Sequence, residues 1–226
     1  MGKCIIVCAG TFVPVEIIPE EDDVVIACDA GLEHCLQVDL RPDYIVGDFD
    51  SLDTEYLDMV NEIRANEPDK VITLPCEKDD TDTLRALRLG LDKGYRDFRI
   101  YGALGGERVE HTIANIQCLI FLKEHGAKGY LLDDVSMTTV ICNETVELNA
   151  RMTGYLSVFA VNGRAAGVTL KNLKYELEDE TVTSGYPVGV SNEFIGKSAE
   201  VSVKNGMLLV IVNWADHRSA HDRERR

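Results

Sequence analysis

Tyr44-Ile45-Val46-Gly47-Asp48-Phe49-Asp50-Ser51 begins with consecutive apolar residues and ends in a glycine and two acids. An apolar run without polar alternation marks a strand covered on both faces, the habit of a parallel sheet flanked by helices. The same texture recurs on either side. Residues 3–9, 24–28, 71–74, 98–101 and 130–132 are short runs rich in Val, Ile and Tyr. Between them lie helical patterns. Leu84, Leu87 and Leu91 recur at helical spacing, with Thr81 or Asp82 as N-cap and Gly94 as the stop. Ile113, Ile116 and Ile120 repeat that spacing, and Gly126 ends it. The alternation predicts an α/β domain over residues 1–142, an open, mostly parallel sheet with right-handed crossovers.

Beyond Cys142 the texture becomes β-rich: 155–161, 167–170, 199–204 and 207–212 read as strands. Ala199, Val201 and Val203 alternate with Glu200, Ser202 and Lys204, so one face of that strand is solvated. Asn205-Gly206 between the last two runs is a two-residue hairpin signal. Residues 143–226 therefore read as a small β-sandwich domain. The stretch from His217 to Arg226 is polar, Arg-rich and aperiodic, and reads as a tail.

Composition narrows the function. The 226 residues are 45% hydrophobic, enough for a sizeable core, and no stretch reaches the roughly 20 apolar residues of a membrane span. Residues 1–9 read as a first strand rather than a signal peptide, which makes the cytosol the default compartment. A net charge of −16 argues against a nucleic-acid partner. For a polyphosphate ligand it demands local inversion of the field by metal ions, Arg, Lys or backbone N–H groups. The seven cysteines are odd in number and include no CxxC pair; several sit inside apolar runs, as buried thiols do.

Four patterns stand where a strand gives way to a loop, the place where open α/β sheets bind ligands. In Cys28-Asp29-Ala30-Gly31, Asp29 either faces a ligand or caps a turn. In Gly47-Asp48-Phe49-Asp50-Ser51, continued strand geometry puts Asp48 and Asp50 on one side, offering Mg²⁺ the oxygen ligands it takes; the alternative is a polar turn. Lys78-Asp79-Asp80-Thr81-Asp82 opens a helix, where acids are stabilised by the dipole, yet this many close acids repel without a cation. Tyr101-Gly102-Ala103-Leu104-Gly105-Gly106-Glu107-Arg108-Val109-Glu110-His111 links a strand to a helix and makes an anion cradle without being a Walker loop or a dinucleotide fingerprint. Arg108 there suits phosphate through paired N–H donors; His111 is either a site residue or a helix-start packing residue.

Together and in this order, these patterns resemble the thiamin pyrophosphokinase family. Its signature combines Asp-Gly-Gly, Gly-Asp-Phe-Asp-Ser, Lys-Asp-x-Thr-Asp and Gly-Gly-Arg-x-Asp-His. A later Ser191-Asn192-Glu193-Phe194 resembles a Ser-Asn-Glu segment of the family's second domain. The chain departs from the signature in three places. Ala30 stands for a glycine, Glu110 stands for Asp, and either one residue is inserted before Arg108 or Glu107 replaces a glycine. The resemblance implies transfer of a pyrophosphoryl group from ATP to the hydroxyl of thiamin, giving thiamin diphosphate and AMP. It implies that Asp48, Asp50, Asp79 and Asp82 hold Mg²⁺ and the ATP phosphates. Asp29, Lys78, Arg108 and His111 would line the ATP site, and Ser191 and Asn192 the thiamin site. It further implies a homodimer with active sites between the α/β domain of one subunit and the β domain of the other. Two other readings use the same residues: a pyrophosphokinase acting on a pterin alcohol, and a non-catalytic nucleotide- or thiamin-binding protein.

Overall fold

A computed structural model of the chain describes residues 2–50, 52–75, 80–106 and 108–214. The chain divides into two compact units, Met1–Asp134 and Val135–Arg226.

The first unit alternates strands and helices: β1 (Cys4–Val7), β2 (Val24–Cys28), α1 (Gly31–Gln37), β3 (Tyr44–Gly47), α2 (Thr54–Asn66), β4 (Val71–Thr73), α3 (Asp82–Asp92), β5 (Asp97–Tyr101), α4 (Val109–Glu124) and β6 (Lys128–Leu132). Its strands lie in the order β4-β3-β2-β1-β5-β6, and every pair is parallel among the described residues. Both faces are covered, as the unbroken apolar runs require: Cys4, Ile5, Ile6 and Val7 are all buried, odd and even positions alike. Leu32 and Cys35 of α1 and Val60 of α2 pack on Ile5, Val7, Val25, Ala27 and Ile45. Helix α3 packs on β1, β2 and β3, and α4 on β6. The strand order reverses direction between β1 and β5, and the crevice at the carboxyl ends of those two strands is where such sheets receive ligands.

Two helices settle what their sequence patterns left open. Thr81, not Asp82, caps α3, its side chain accepting from Leu84 N at 3.2 Å. On α4 the buried positions are Asn115, Cys118, Leu119 and Leu122, while Ile113 is 55% exposed. The spacing Ile113, Ile116, Ile120 marks the helix correctly, with Ile116 and Ile120 half-buried at the border of the buried face. Helices α1 and α2 carry too few buried residues to show a period at all; α2 buries Val60 alone.

The second unit consists of β7 (Ser136–Cys142), β8 (Thr145–Leu148), β9 (Tyr155–Lys171), β10 (Leu177–Thr183), β11 (Asn192–Glu193), β12 (Ala199–Ser202) and β13 (Asn205–Asn213), all paired antiparallel. The division after Asp134 falls earlier than the change of texture at Cys142, because β7 hydrogen-bonds along its whole length to β13. The strand set of the chain is consequently mixed rather than mostly parallel, a sheet with helices followed by a β-rich unit.

The runs 155–161 and 167–170 are one strand of 17 residues, β9, in which Asn162 (φ 59°) and Gly163 (φ 94°) bend the chain without ending the pairing. Its first part pairs with β13 and its last residues with β12. Asn205-Gly206 therefore does not close a two-strand hairpin: β12 and β13 each pair with β9 instead. Asn143 takes up the turn, its Oδ1 accepting from Gly206 N at 2.8 Å. Leu156, Val158, Ala160, Val168 and Leu170 of β9 join Val201, Leu208 and Val210 in one apolar cluster. The alternation on β12 is as the sequence implied, with Ala199 and Val201 buried and Glu200 and Ser202 half-buried.

Gly31 begins α1 against β1 so closely that an added Cβ would lie 2.0 Å from Val7 O and 3.1 Å from Cys8 C. Neither atom can yield without moving the strand. Gly31→Ala is expected to destabilise the protein by about 2–3 kcal/mol, read as a fall in the denaturant midpoint.

Candidate active site

Asp29 directly follows β2 in the left-handed region (φ 49°), its N–H donating to Val46 O at 2.9 Å and its carbonyl accepting from Leu32 N at 3.1 Å. The backbone is thereby fixed on both sides and the carboxylate turned over the end of the sheet. Gly47 makes room for it: a Cβ there would lie 3.2 Å from Asp29 Cα. Two residues on, Phe49 (φ 64°) drives its ring into the core, 5% exposed, beside Leu32, Val60 and Ile45. On either side of it stand Asp48, half-buried, and Asp50, exposed. Strand alternation does not align them, since β3 ends at Gly47; the buried phenylalanine does.

The outcome is that carboxylate oxygens of Asp29, Asp48 and Asp50 all lie within 4.8 Å of one another. Asp29 is 9% exposed, and its Oδ1 is buried without a hydrogen-bond partner. Burial first, then the negative charges of Asp82, Asp48 and Asp50, push its pKa up to about 6. Asp82, in the first turn of α3, is thus an electrostatic neighbour of the cluster. A concentration of hard oxygen donors around an orphaned buried carboxylate oxygen is the chemistry that Mg²⁺ satisfies.

Asp80 is engaged elsewhere, in an ion pair with Arg88. Lys78 and Asp79, together with Ser51, Glu107 and the tail from His217 to Arg226, lie outside the described residues.

On the far side of the strand-order reversal, Gly105 (φ 71°) and Gly106 (φ 92°) turn the chain toward α4 with backbone angles that side-chain-bearing residues avoid. Asn115 Nδ2, buried, donates to Ala103 O at 2.8 Å and ties this turn to the helix. Arg108 and Glu110 form an exposed pair, Nε to Oε1 2.8 Å, and Arg108 holds the Glu110 carboxyl below its usual range. His111 is exposed on the first turn of α4.

The sequence reading passed over the loop after β1. Gly10 N donates to Gly102 O at 2.8 Å, and a Cβ on either glycine would meet the other loop's backbone, 2.5 Å from Gly102 O or 2.3 Å from Cys8 O. The signal was Ala9-Gly10-Thr11 directly after an apolar strand, the same texture as the four patterns but without an acid to draw attention.

In the second unit, Ser191 (φ 57°) donates its N–H to Ser157 Oγ at 3.0 Å. Asn192, 3% exposed, spends its amide on the protein itself. Its Oδ1 accepts from Tyr175 N and Glu193 N, both at 2.9 Å, and its Nδ2 donates to Tyr175 O at 2.6 Å. Asn192 therefore holds the strand bearing Glu193 to the segment at Tyr175.

Comparison with known proteins agrees with this layout. Residues 16–131 match the family model of the thiamin pyrophosphokinase catalytic domain, and residues 139–208 that of the thiamin pyrophosphokinase vitamin B1 binding domain. A thiamine pyrophosphokinase from Bacillus subtilis is 26% identical over 196 residues, spanning 85% of this chain and 88% of the relative. The crystal structure of a thiamin pyrophosphokinase from Geobacillus thermodenitrificans superposes with a TM-score of 0.76 at 30% identity, covering 95% of this chain and 99% of that one. The Bacillus subtilis crystal structure superposes with a TM-score of 0.81 at 24% identity, over 94% of this chain and 99% of that one, a likeness of fold.

The pKa of Asp29 sets a pH dependence. Between the ordinary 3.8 and about 6 the unfolded chain ionises while the folded one keeps its proton, so stability falls as pH rises through that window. In EDTA at pH 8, Asp29→Asn is expected to be more stable than the wild type by about 1–3 kcal/mol, a difference that vanishes near pH 4. Mg²⁺ is expected to raise the melting temperature of the wild type and not that of the variant. Asn192→Ala, which strands the Tyr175 backbone, is expected to cost about 2–3 kcal/mol in a denaturation titration.

Proposed function

The chain belongs to the thiamin pyrophosphokinase family, and from that premise we propose how its residues move a pyrophosphoryl group from ATP to thiamin. The reaction is a displacement at the β-phosphorus of ATP by the thiamin hydroxyl, releasing AMP and leaving thiamin diphosphate. The observation that carries the assignment to this site is the carboxylate cluster of Asp29, Asp48 and Asp50, with its orphaned buried oxygen, at the carboxyl end of the sheet. Neither a pterin-alcohol acceptor nor a non-catalytic binding role finds support, since both halves of the chain match thiamin pyrophosphokinase models.

Asp48 and Asp50, with Asp29 and Asp82 beside them, are the residues that would hold Mg²⁺, and the family signature adds Asp79, which lies outside the described residues. The ion supplies positive charge to the triphosphate in a chain whose own net charge is −16. The protein's share is positioning: transfers of this kind need in-line alignment and neutralised charge rather than covalent help. The glycine turn lets backbone approach the phosphates, with Arg108 and His111 following it in the chain as ATP-site residues; Lys78, assigned to the same site, lies outside the described residues. An exposed ion pair such as Arg108 with Glu110 is weakly held in water, so the guanidinium can exchange its carboxylate for phosphate oxygens. For thiamin, Ser191 offers an exposed hydroxyl, and Asn192 acts by shaping the segment around it.

The active unit in this reading is a homodimer in the cytoplasm. Val109 and Ile113 on α4, and Tyr155, Tyr175, Tyr186 and Val190 in the second unit, are large apolar side chains left exposed, which supports burial against a second copy. Among the described residues no helix is long and apolar enough to cross a membrane.

The test is AMP production from ATP and Mg²⁺ with and without thiamin. Thiamin-dependent AMP, with thiamin diphosphate as co-product, is the expected result; AMP formed only with another alcohol would reassign the acceptor. Asp50→Asn removes metal charge but no core packing, and is expected to lower kcat at least about 100-fold while the melting temperature holds. Near-normal turnover in that variant would remove this loop from the metal site.

A further inference from the structure

We propose that His34 is a positioning residue for the nucleotide, holding the loop after β1 against the turn at Gly105 and Gly106. The inference rests on the ATP-site reading above. His34 lies on α1, in a helix that starts two residues after Asp29. Its ring stacks on Phe12 with centroids 4.8 Å apart and planes at 16°, and its Nε2 lies 3.1 Å from Gly10 O. A carbonyl only accepts, so Nε2 is the donor of this hydrogen bond. The other ring nitrogen, Nδ1, is buried without a hydrogen-bond partner. A side chain that merely filled this space would not carry such an atom, since phenylalanine or leucine fills it without an orphaned polar group. What histidine adds is the N–H aimed at Gly10.

The loop so held is the one that meets the glycine turn. Gly10 N donates to Gly102 O at 2.8 Å, and each glycine is needed for that approach. The next residue, Thr11, has its Oγ1 3.2 Å from where a Cβ on Gly105 would sit. These contacts line the crevice at the reversal between β1 and β5. The acid cluster lies across β2 and β3, the glycine turn beyond β5, and α1 is joined to both. It connects to the cluster through the chain at Asp29 and to the loop through His34. His34 thereby sets the spacing between the groups that face the metal and those that face the phosphate chain. Releasing it frees the loop and weakens ATP binding, while the thiamin side is untouched.

The experiment compares His34→Ala, His34→Gln and His34→Phe, measuring Mg·ATP binding by calorimetry, KM for each substrate, kcat and melting temperature. His34→Ala is expected to raise the Kd and KM for ATP about tenfold, from loss of the hydrogen bond and the stack, with the KM for thiamin within about twofold. His34→Gln keeps an N–H donor and is expected to restore most of the ATP affinity. His34→Phe keeps the ring without the donor and is expected to resemble the alanine variant. A purely structural histidine would shift melting temperature and both KM values together, with phenylalanine the better replacement. That pattern, or an unchanged Kd for ATP in His34→Ala, overturns the proposal. A wild type that binds Mg·ATP but makes no AMP with thiamin would sink the acceptor assignment and leave the Kd series to decide on His34. A wild type that binds no ATP overturns both.

Discussion

Carboxylates crowded within 4.8 Å of one another, one of them buried with an orphaned oxygen, repel unless positive charge comes among them. Much of the first unit's local geometry exists to hold that arrangement. Asp29 occupies a left-handed conformation that costs an L-residue free energy, and backbone hydrogen bonds on both sides keep it there. Gly47 forgoes a side chain so that the neighbouring strand end can come alongside. Phe49 contributes burial that outweighs its own strained φ, since an aromatic ring removed from water is worth roughly 2–3 kcal/mol. The same anchor leaves Asp48 and Asp50 beside Asp29 rather than in the core. The raised pKa of Asp29 follows from its burial and from the acids around it.

Most of this was legible in Gly47-Asp48-Phe49-Asp50 because strand, glycine and acids are adjacent in the chain. The runs at 24–28 and 44–47 coincide with β2 and β3, since strands buried on both faces announce themselves by composition alone. What was not legible depends on contacts distant in sequence. Nothing in residues 155–171 shows that Asn162 and Gly163 bend a strand rather than end it; the antiparallel partners on both sides decide that. Asn205-Gly206 has hairpin chemistry, yet β9 outcompetes β12 as the partner of β13. The Ile113 spacing has helical period, but the choice of buried face belongs to Cys118, Leu119 and Leu122. Asn192 was singled out as a polar residue in a recognisable segment; only its hydrogen bonds reveal that it is committed to the Tyr175 backbone.

A chain of net charge −16 that receives a triphosphate needs its positive and negative features kept apart. The fold does this with strand order. Acids collect after β2 and β3, on one side of β1, whereas the glycine turn and Arg108 follow β5 on the other. A ligand in the crevice between them would meet carboxylates suited to a cation at one end and backbone and guanidinium suited to anions at the other. The two ends belong to different loops, so their separation must be enforced by something rigid. Parallel pairing of β1 with both β2 and β5 supplies part of that, and α1 the rest.

The substitution of Glu110 for the family's aspartate takes on a specific meaning in this setting. Glutamate's extra methylene lets its carboxylate meet Arg108 two residues earlier at 2.8 Å, both groups remaining in water. Arg108 is held by Glu110 through an exposed contact weak enough for a stronger anion to displace. A longer acid at this position therefore need not subtract from the chemistry. In the ATP-site reading proposed above, it holds the guanidinium until phosphate oxygens replace the carboxylate.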